Sequence, residues 1–334
     1  MRKIKYLSPS SLACYEKDPK EFYIRYLADA KTPRPTQTKP MSVGSAFDAY
    51  VKSYLYKELM GVSTGFDFEE LFEKQVEEPN RYFARAAGLH CFEQYQASGV
   101  LIDVLKLLES GSEVEFEIEV IRGISRSDSP LVITKEWDTL PESTIPVLGK
   151  PDLRFRLSCG TLVTLDWKVN GYCSKSGAAT KRGYVKFTDV GILGKNHGTR
   201  HRDCIIGNGC KSDVDSFAIN IAEPFENYYE QHADQLCTYS WNNGAKVGEP
   251  AIVCIHQLAW KTGHLAVVDY RGMISQSYQE HLFDRYKNLW DVIEGGFLVL
   301  SFEERELLEK IAAQAAENPD SDFEKMFIDM TRGY

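Results

Sequence analysis

The sequence predicts an α/β fold in which α-helices flank a central mixed β-sheet, preceded by a helical N-terminal region. Two observations favour it. Apolar residues recur at helical spacing over residues 8–108, whereas residues 113–169 follow the two-residue period of strands. Beyond residue 220 the pattern indicates a helix, a strand pair and two more helices. With 334 residues, 43% of them hydrophobic, the chain can bury a sizeable core.

The N-terminal elements are predicted to be helices. Ser8 before Pro9 is a start signal for the first, which is expected to break near Asp18-Pro19. Apolar spacing predicts further helices over residues 42–59, 66–76 and 81–108.

The later elements are mostly strands. Glu113, Glu115, Glu117 and Glu119 alternate with apolar residues, which predicts a strand with one charged, solvated face. Two more strand runs are expected over 145–157 and 161–169. A helix over 228–241, strands over 251–260 and 264–270, and helices over 274–293 and 303–316 complete the prediction.

We expect a single domain over residues 1–334, made of a helical part (1–110), a core (111–300) and a helical tail (301–334). The net charge of −9 is uneven along the chain. Residues 171–216 hold eight Lys and Arg against four Asp and form a basic insertion, whereas the tail is acidic. The negative net charge alone argues against a protein that coats nucleic acid. The basic insertion could still make a local contact with nucleic acid.

Several classes of protein are not expected. No apolar run is long enough to span a bilayer, and Met1 is followed by no apolar leader segment, which predicts a cytoplasmic protein without a membrane partner. The run Gly191 to Lys195 lacks the spacing of a phosphate-binding P-loop, so ATP is not an expected cofactor.

One hairpin carries the most informative pattern. If Ser158-Cys159-Gly160 is a three-residue turn, paired residues have numbers that sum to 318, and Asp152 faces Asp166. In that register one face of both strands is apolar and the other is polar. A slip of one residue would scramble both faces, so the pattern supports the register.

The polar face of this hairpin predicts a metal site. Asp152 and Asp166 would lie about 5 Å apart at the backbone, with Lys168 on the same side. A divalent cation relieves the repulsion of two such carboxylates, and oxygen ligands favour Mg²⁺ or Mn²⁺. This outline suits phosphodiester hydrolysis. The alternative is a solvated sheet face without chemistry.

Five motifs in order resemble one enzyme superfamily. Pro151-Asp152 and Asp166-x-Lys168 resemble the PD-(D/E)XK nucleases, and Gln235 to Tyr239 matches the QxxxY motif of their RecB-like exonuclease branch. Residues 8–27 look like the opening helical motif of that branch, and residues 44–48 stand where it has GxxxH. As a stand-alone chain it resembles nucleases that bacterial viruses encode.

The resemblance implies a restriction-endonuclease-like core and a metal-dependent DNA nuclease, most simply an exonuclease in DNA recombination, repair or replication. It implies that water displaces the 3′ oxygen and leaves a 5′ phosphate. The implied metal ligands are Asp48, Asp152, Asp166 and the backbone carbonyl of Trp167. Lys168 would position the attacking water, and Gln235 and Tyr239 would hold the DNA strand or orient Lys168.

The sequence also departs from this family. Asp48 replaces the GxxxH histidine, and its carboxylate can still serve as a ligand; the alternative is an exposed helical Asp. Many relatives have a Cys where Asp18 precedes Pro19, and only Cys254 follows Tyr239. A [4Fe–4S] cluster is therefore not expected.

The basic insertion offers two further candidate sites. Four possible zinc ligands lie within fourteen residues, although their spacing fits no standard finger: His197, His201, Cys204 and Cys210. Six cations could shape the path of a DNA strand: Lys175, Lys181, Arg182, Lys186, Arg200 and Arg202. A plain Gly-rich surface insertion is the alternative.

Two rival functions stay open. The chain could be a non-catalytic DNA-binding or assembly subunit that keeps the nuclease fold, or a zinc-stabilised interaction module. As a nuclease, its expected partners are DNA and a helicase or recombination protein on another chain.

Overall fold

The fold is that of a computed structural model, which describes residues 1–61, 65–116, 119–126, 132–133, 140, 143–173, 184–188, 191–192, 224–249, 251–261, 264–318 and 327.

The N-terminal residues form helices, as the sequence predicts. Ser8 caps α1 (Pro9–Lys17) with a reciprocal capping box. Asp18 ends this helix and caps α2 (Pro19–Phe22), which continues into one π-helical turn. The predicted start and break of the first helix are confirmed.

Four more helices precede the strands: α3 (Lys39–Met60), α4 (Phe68–Gln75), α5 (Arg81–Ala97) and α6 (Val100–Ser110). The helical pattern predicted over 81–108 is confirmed as two helices, because Gly99 has a φ of 75° and separates α5 from α6. Gly88 lets α5 pack closely on α3, since a Cβ there would lie 2.6 Å from the Cβ of Ala46. This contact fixes the position of α3.

The strands form a mixed sheet and a smaller antiparallel sheet. Their bounds are β1 (Ser112–Phe116), β2 (Val120–Ser125), β3 (Val132–Ile133), β4 (Thr144–Gly149), β5 (Leu153–Arg156), β6 (Leu162–Asn170), β7 (Tyr184–Thr188), β8 (Gly191–Ile192), β9 (Ala251–Lys261) and β10 (His264–Ile274). Within the described residues the larger sheet has the order β1-β5-β6-β9-β10-β7-β8, and β2 pairs with β3 and β4. β6 and β9 run parallel, so the predicted mixed sheet is confirmed.

Two predicted strands are wrong in extent. The run over 145–157 is split into β4 and β5, which belong to different sheets; Pro151, which cannot donate to a strand ladder, lies between them. The strand predicted to run through Glu119 ends at Phe116, and residues 117–118 lie outside the described part. Glu113 is exposed and Glu115 is half-buried, and each pairs with an arginine of β5, so the solvated charged face is confirmed for Glu113.

The register predicted for the β5–β6 hairpin is confirmed. Leu153 pairs with Leu165 and Phe155 pairs with Val163, so the residue numbers sum to 318. Gly160 in the turn has a φ of 87°, the left-handed conformation that the turn requires. The apolar face of the hairpin is buried, as its alternation predicts.

Helices cover both faces of the mixed sheet. Val253 and Ile255 of β9 pack with α7 (Glu226–Asn242) and α8 (Gln276–Glu294), together with α9 (Phe302–Glu317). Cys254 and Leu258, which point the other way, pack with α3, α5 and α6. The helices predicted in this half are confirmed. Among the described residues no helix combines the length and apolarity needed to cross a bilayer.

Candidate active site

The β5–β6 hairpin brings the two predicted carboxylates together. Asp152 lies directly before β5, and Asp166 lies in the middle of β6. The backbone N–H of Trp167 donates to Oδ2 of Asp152 at 2.9 Å, which ties one carboxylate to the strand that carries the other. The Trp167 side chain points to the opposite face and is buried in the core. The hairpin register thus places both carboxylates in one site.

Lys168 completes the predicted motif. Its Nζ lies 2.5 Å from Oδ2 of Asp166, whose side chain is 2% exposed. Alternate residues of a strand share a face, which explains why Asp166 and Lys168 meet. An ammonium group therefore stands beside the two carboxylates, as predicted.

Helix α3 supplies a third carboxylate and a lysine that the sequence analysis missed. Nζ of Lys52 lies 2.6 Å from Oδ2 of Asp48 and 3.6 Å from Oδ1 of Asp152. Asp48 and Lys52 are four residues apart and share a helix face. That spacing could have suggested their pairing, but the contact with Asp152 depends on how α3 packs. The Lys52 side chain is 1% exposed, so it is part of the site rather than of the surface.

Helix α7 contributes the predicted QxxxY pair. Nε2 of Gln235 donates to the hydroxyl oxygen of Tyr239 at 2.6 Å, and burial raises the pKa of Tyr239. The phenol therefore stays protonated at neutral pH. His232, one turn before Gln235, received no role in the sequence analysis. Burial, assisted by the Lys168 ammonium, lowers the pKa of His232 to about 4, so this imidazole is neutral at pH 7.

One cavity of about 580 Å³ joins these side chains. Its wall includes every predicted catalytic residue and every predicted ligand of the Mg²⁺ or Mn²⁺ ion: Asp48, Asp152, Asp166, Trp167, Lys168, Gln235 and Tyr239. Lys52, Gln75 and Lys150 also line it, and none of the three was predicted. The volume is in the range of ordinary small-molecule sites and is large enough for a nucleotide unit.

The crowded charges shift the pKa values in opposite directions. Burial raises the pKa of Asp152, but the ammonium groups of Lys52 and Lys168 outweigh it, and the net pKa is lowered. Burial and the nearby Asp152 carboxylate raise the pKa of Asp166 to about 8. Burial lowers the pKa of Lys168, but the two carboxylates raise it more. Two carboxylates with divergent pKa values in one cavity are typical of functional sites.

The donor set fits a divalent cation. Three carboxylates from α3 and the hairpin line one cavity, and all offer hard oxygen atoms. A cation would relieve the crowding that raises the pKa of Asp166. Trp167 lines the same cavity, and the role of its backbone carbonyl as a ligand stays a prediction.

A second group of possible ligands is buried on the other face of the sheet. The Nε2 atom of His256 lies 3.2 Å from Sγ of Cys254 and 3.3 Å from Oδ1 of Asp269, and the three residues could hold a metal ion. Arg271 donates to both carboxylate oxygens of Asp269, at 2.8 and 2.6 Å. Because this guanidinium already pairs with the carboxylate, the charge of Asp269 is compensated without a metal.

This buried group is connected to the hairpin. The hydroxyl of Tyr95 lies 2.5 Å from Nδ1 of His256 and accepts a hydrogen bond from Nε1 of Trp167 at 3.2 Å. No role is predicted for His256 from the sequence. The signal was the β9–β10 pairing, which sets Asp269 opposite His256.

The other predicted sites cannot be placed in the same way. The candidate zinc ligands His197, His201, Cys204 and Cys210 lie outside the described residues. So do the candidate DNA-contacting residues Lys175, Lys181, Arg182, Arg200 and Arg202. Lys186 belongs to β7, where its backbone pairs with Ala266 of β10.

Comparisons with known proteins add little to this site. No family model matches the chain, and no curated protein matches it. A solved structure, "Crystal structure of SSO0001", is similar over 91% of this chain and 89% of that chain, with 12% sequence identity and a TM-score of 0.25. A similarity at that level carries no argument about function.

Proposed function

We propose that this chain is a Mg²⁺- or Mn²⁺-dependent DNA nuclease with a restriction-endonuclease-like core, and that it hydrolyses phosphodiester bonds. One observation carries the proposal: Asp48, Asp152, Asp166 and Lys168 line the same cavity. Three carboxylates can coordinate a divalent cation, and the lysine can orient a water molecule or stabilise an anionic transition state.

Each side chain then has a defined task. Asp48, Asp152 and Asp166 would hold the cation, which would supply Lewis acidity towards a phosphate oxygen and lower the pKa of a water molecule. Lys168, held beside Asp166, orients the attacking water and stabilises negative charge that develops on the phosphate. The N–H of Trp167 keeps one carboxylate oxygen of Asp152 directed at the hairpin.

The α7 pair acts on the substrate. The phenol of Tyr239 stays protonated and can donate a hydrogen bond to a phosphate oxygen, while Gln235 fixes the position of the phenol oxygen. Both side chains line the cavity. They therefore serve to hold the strand, as the resemblance implies.

The surface next to the cavity suits a polyanion. Lys39 is exposed. Lys39 directly precedes Pro40 and Met41, which line the cavity, and Lys150 lines it and is exposed. These cations favour a phosphate backbone near the carboxylates despite the negative net charge of the chain.

The test is cleavage of end-labelled linear and circular DNA, single- and double-stranded, with Mg²⁺ or Mn²⁺. We expect the Asp166→Asn and Lys168→Met variants each to lose at least about a hundredfold in rate. Asp284→Asn and Lys287→Met are matched controls, because both residues line a separate cavity of about 540 Å³. Resistance of the circular substrates would identify an exonuclease, and the labelled ends would show whether the product carries a 5′ phosphate.

A non-catalytic DNA-binding subunit is the second candidate. It is favoured by Lys52, whose ammonium already balances carboxylate charge without a metal. In that case the parent protein binds DNA and shows no cleavage with either metal, and the variants at Asp166 and Lys168 behave like their controls.

A further inference from the structure

We propose that the ammonium group of Lys52 is an internal cation of the carboxylate cluster, so that the site takes one divalent cation and Lys52 replaces a second. This inference rests on the proposed function, because it assigns Asp48, Asp152 and Asp166 as ligands. It concerns the number of ions and not whether the chain is a nuclease.

The position of Lys52 carries the inference. Its Nζ lies between two carboxylates from different parts of the fold, 2.6 Å from Asp48 and 3.6 Å from Asp152. Many phosphodiesterases bind a second metal ion about 3.5–4 Å from the first, bridged by carboxylates. Here an ammonium group contacts two of the three carboxylates, and its side chain is 1% exposed. It occupies space that a second ion would need.

The other lysines of the cavity differ from Lys52. Lys168 contacts Asp166 on its own strand and is 24% exposed. Lys150 is exposed at the cavity wall. Lys52 is therefore the cavity lysine that combines deep burial with contacts to carboxylates from both α3 and the hairpin.

The charge count agrees with one ion. Once a bound ion has displaced the proton of Asp166, the carboxylates of Asp48, Asp152 and Asp166 contribute three negative charges, and the ammonium groups of Lys52 and Lys168 contribute two positive charges. With one divalent cation these groups sum to +1, which matches one phosphate group. Two ions would give +3 in a largely buried site, where uncompensated charge is costly.

The same arrangement gives Lys52 a task during hydrolysis. A second metal ion would neutralise charge on the phosphate as the bond breaks. The Lys52 ammonium, which contacts both Asp48 and Asp152, supplies that positive charge from α3.

The test counts Mn²⁺ ions bound per chain in the absence of DNA, by electron paramagnetic resonance of free Mn²⁺ and by calorimetric titration. We expect one ion in the parent and two in Lys52→Met, which removes the charge and keeps the length of the side chain. Lys52→Arg keeps the charge and should bind one ion. Lys150→Met, which removes an exposed lysine of the same cavity, is the matched control and should also bind one.

Every outcome decides the inference. Two ions in the parent overturn it, and this result does not depend on whether any variant folds. A folded Lys52→Met protein that still binds one ion also overturns it. If the parent binds no Mn²⁺ without DNA, the inference fails, and the cleavage assay decides the proposed function separately; two ions in the parent with cleavage intact likewise remove the inference alone.

Discussion

Replacing Asp166 with Asn should change how the stability of the metal-free protein depends on pH. The carboxyl of Asp166 is 2% exposed, and burial and Asp152 raise its pKa from 3.8 to about 8. The folded protein therefore holds a proton that the unfolded chain releases above pH 3.8. Stability is greatest below that pH and falls as the pH rises towards 8, because the folded state then binds more protons than the unfolded state.

The size of this effect follows from one proton. A difference of one bound proton changes the free energy of unfolding by about 1.4 kcal/mol per pH unit, so Asp166 accounts for at most about 2.7 kcal/mol between pH 5 and pH 7. Asn has no such proton. Urea unfolding of parent and Asp166→Asn proteins in EDTA at pH 5, 6 and 7 measures the difference, in which the titrating groups away from the cavity cancel. We expect the variant to gain stability relative to the parent as the pH rises. If the free energy of unfolding depends on pH in the same way for both proteins, the claim that burial and Asp152 raise the pKa of Asp166 is refuted.

Three further outcomes follow from other contacts. Arg271→Met leaves the buried Asp269 carboxylate without its guanidinium, and urea titration should show a loss of about 3–5 kcal/mol; a loss below about 1 kcal/mol would contradict the buried ion pair. Tyr95→Phe removes the acceptor of the Trp167 indole N–H, so we expect a loss of about 1–3 kcal/mol and an altered near-ultraviolet circular dichroism spectrum, and an unchanged spectrum would count against this contact. Tyr82 is 95% exposed at the start of α5 and adjoins Phe83, whose ring centre lies 5.3 Å from Nζ of Lys39, and Tyr82→Ala should weaken binding of a labelled single-stranded oligonucleotide by about 1–3 kcal/mol; unchanged anisotropy titrations would place the strand elsewhere.

The part of the fold that the sequence predicts best is local. The β5–β6 register was predictable because a turn glycine and two alternating strands must agree, and a slip would bury charges. The break at Gly99 and the division of residues 145–157 between two sheets were not recognised. In both cases the apolar pattern continues across the break, and only one residue, Gly99 or Pro151, marks it.

The candidate site was predictable where its residues share a strand or a helix. Asp166 with Lys168 and Gln235 with Tyr239 follow from the periods of strand and helix. Lys52 was missed because its contact with Asp152 crosses from α3 to the hairpin and depends on the close packing of α3 against α5. Such a contact between distant segments has no local signature in the sequence.

The central claim is that the carboxylate cavity holds the metal ion that DNA cleavage requires. Anomalous scattering from crystals soaked in Mn²⁺ locates that ion directly. The account predicts a peak about 2.1 Å from carboxylate oxygens of Asp152 and Asp166, absent from Asp166→Asn crystals. A peak confined to the buried group of Cys254, His256 and Asp269, or no peak with Mn²⁺ at millimolar concentration, would contradict it.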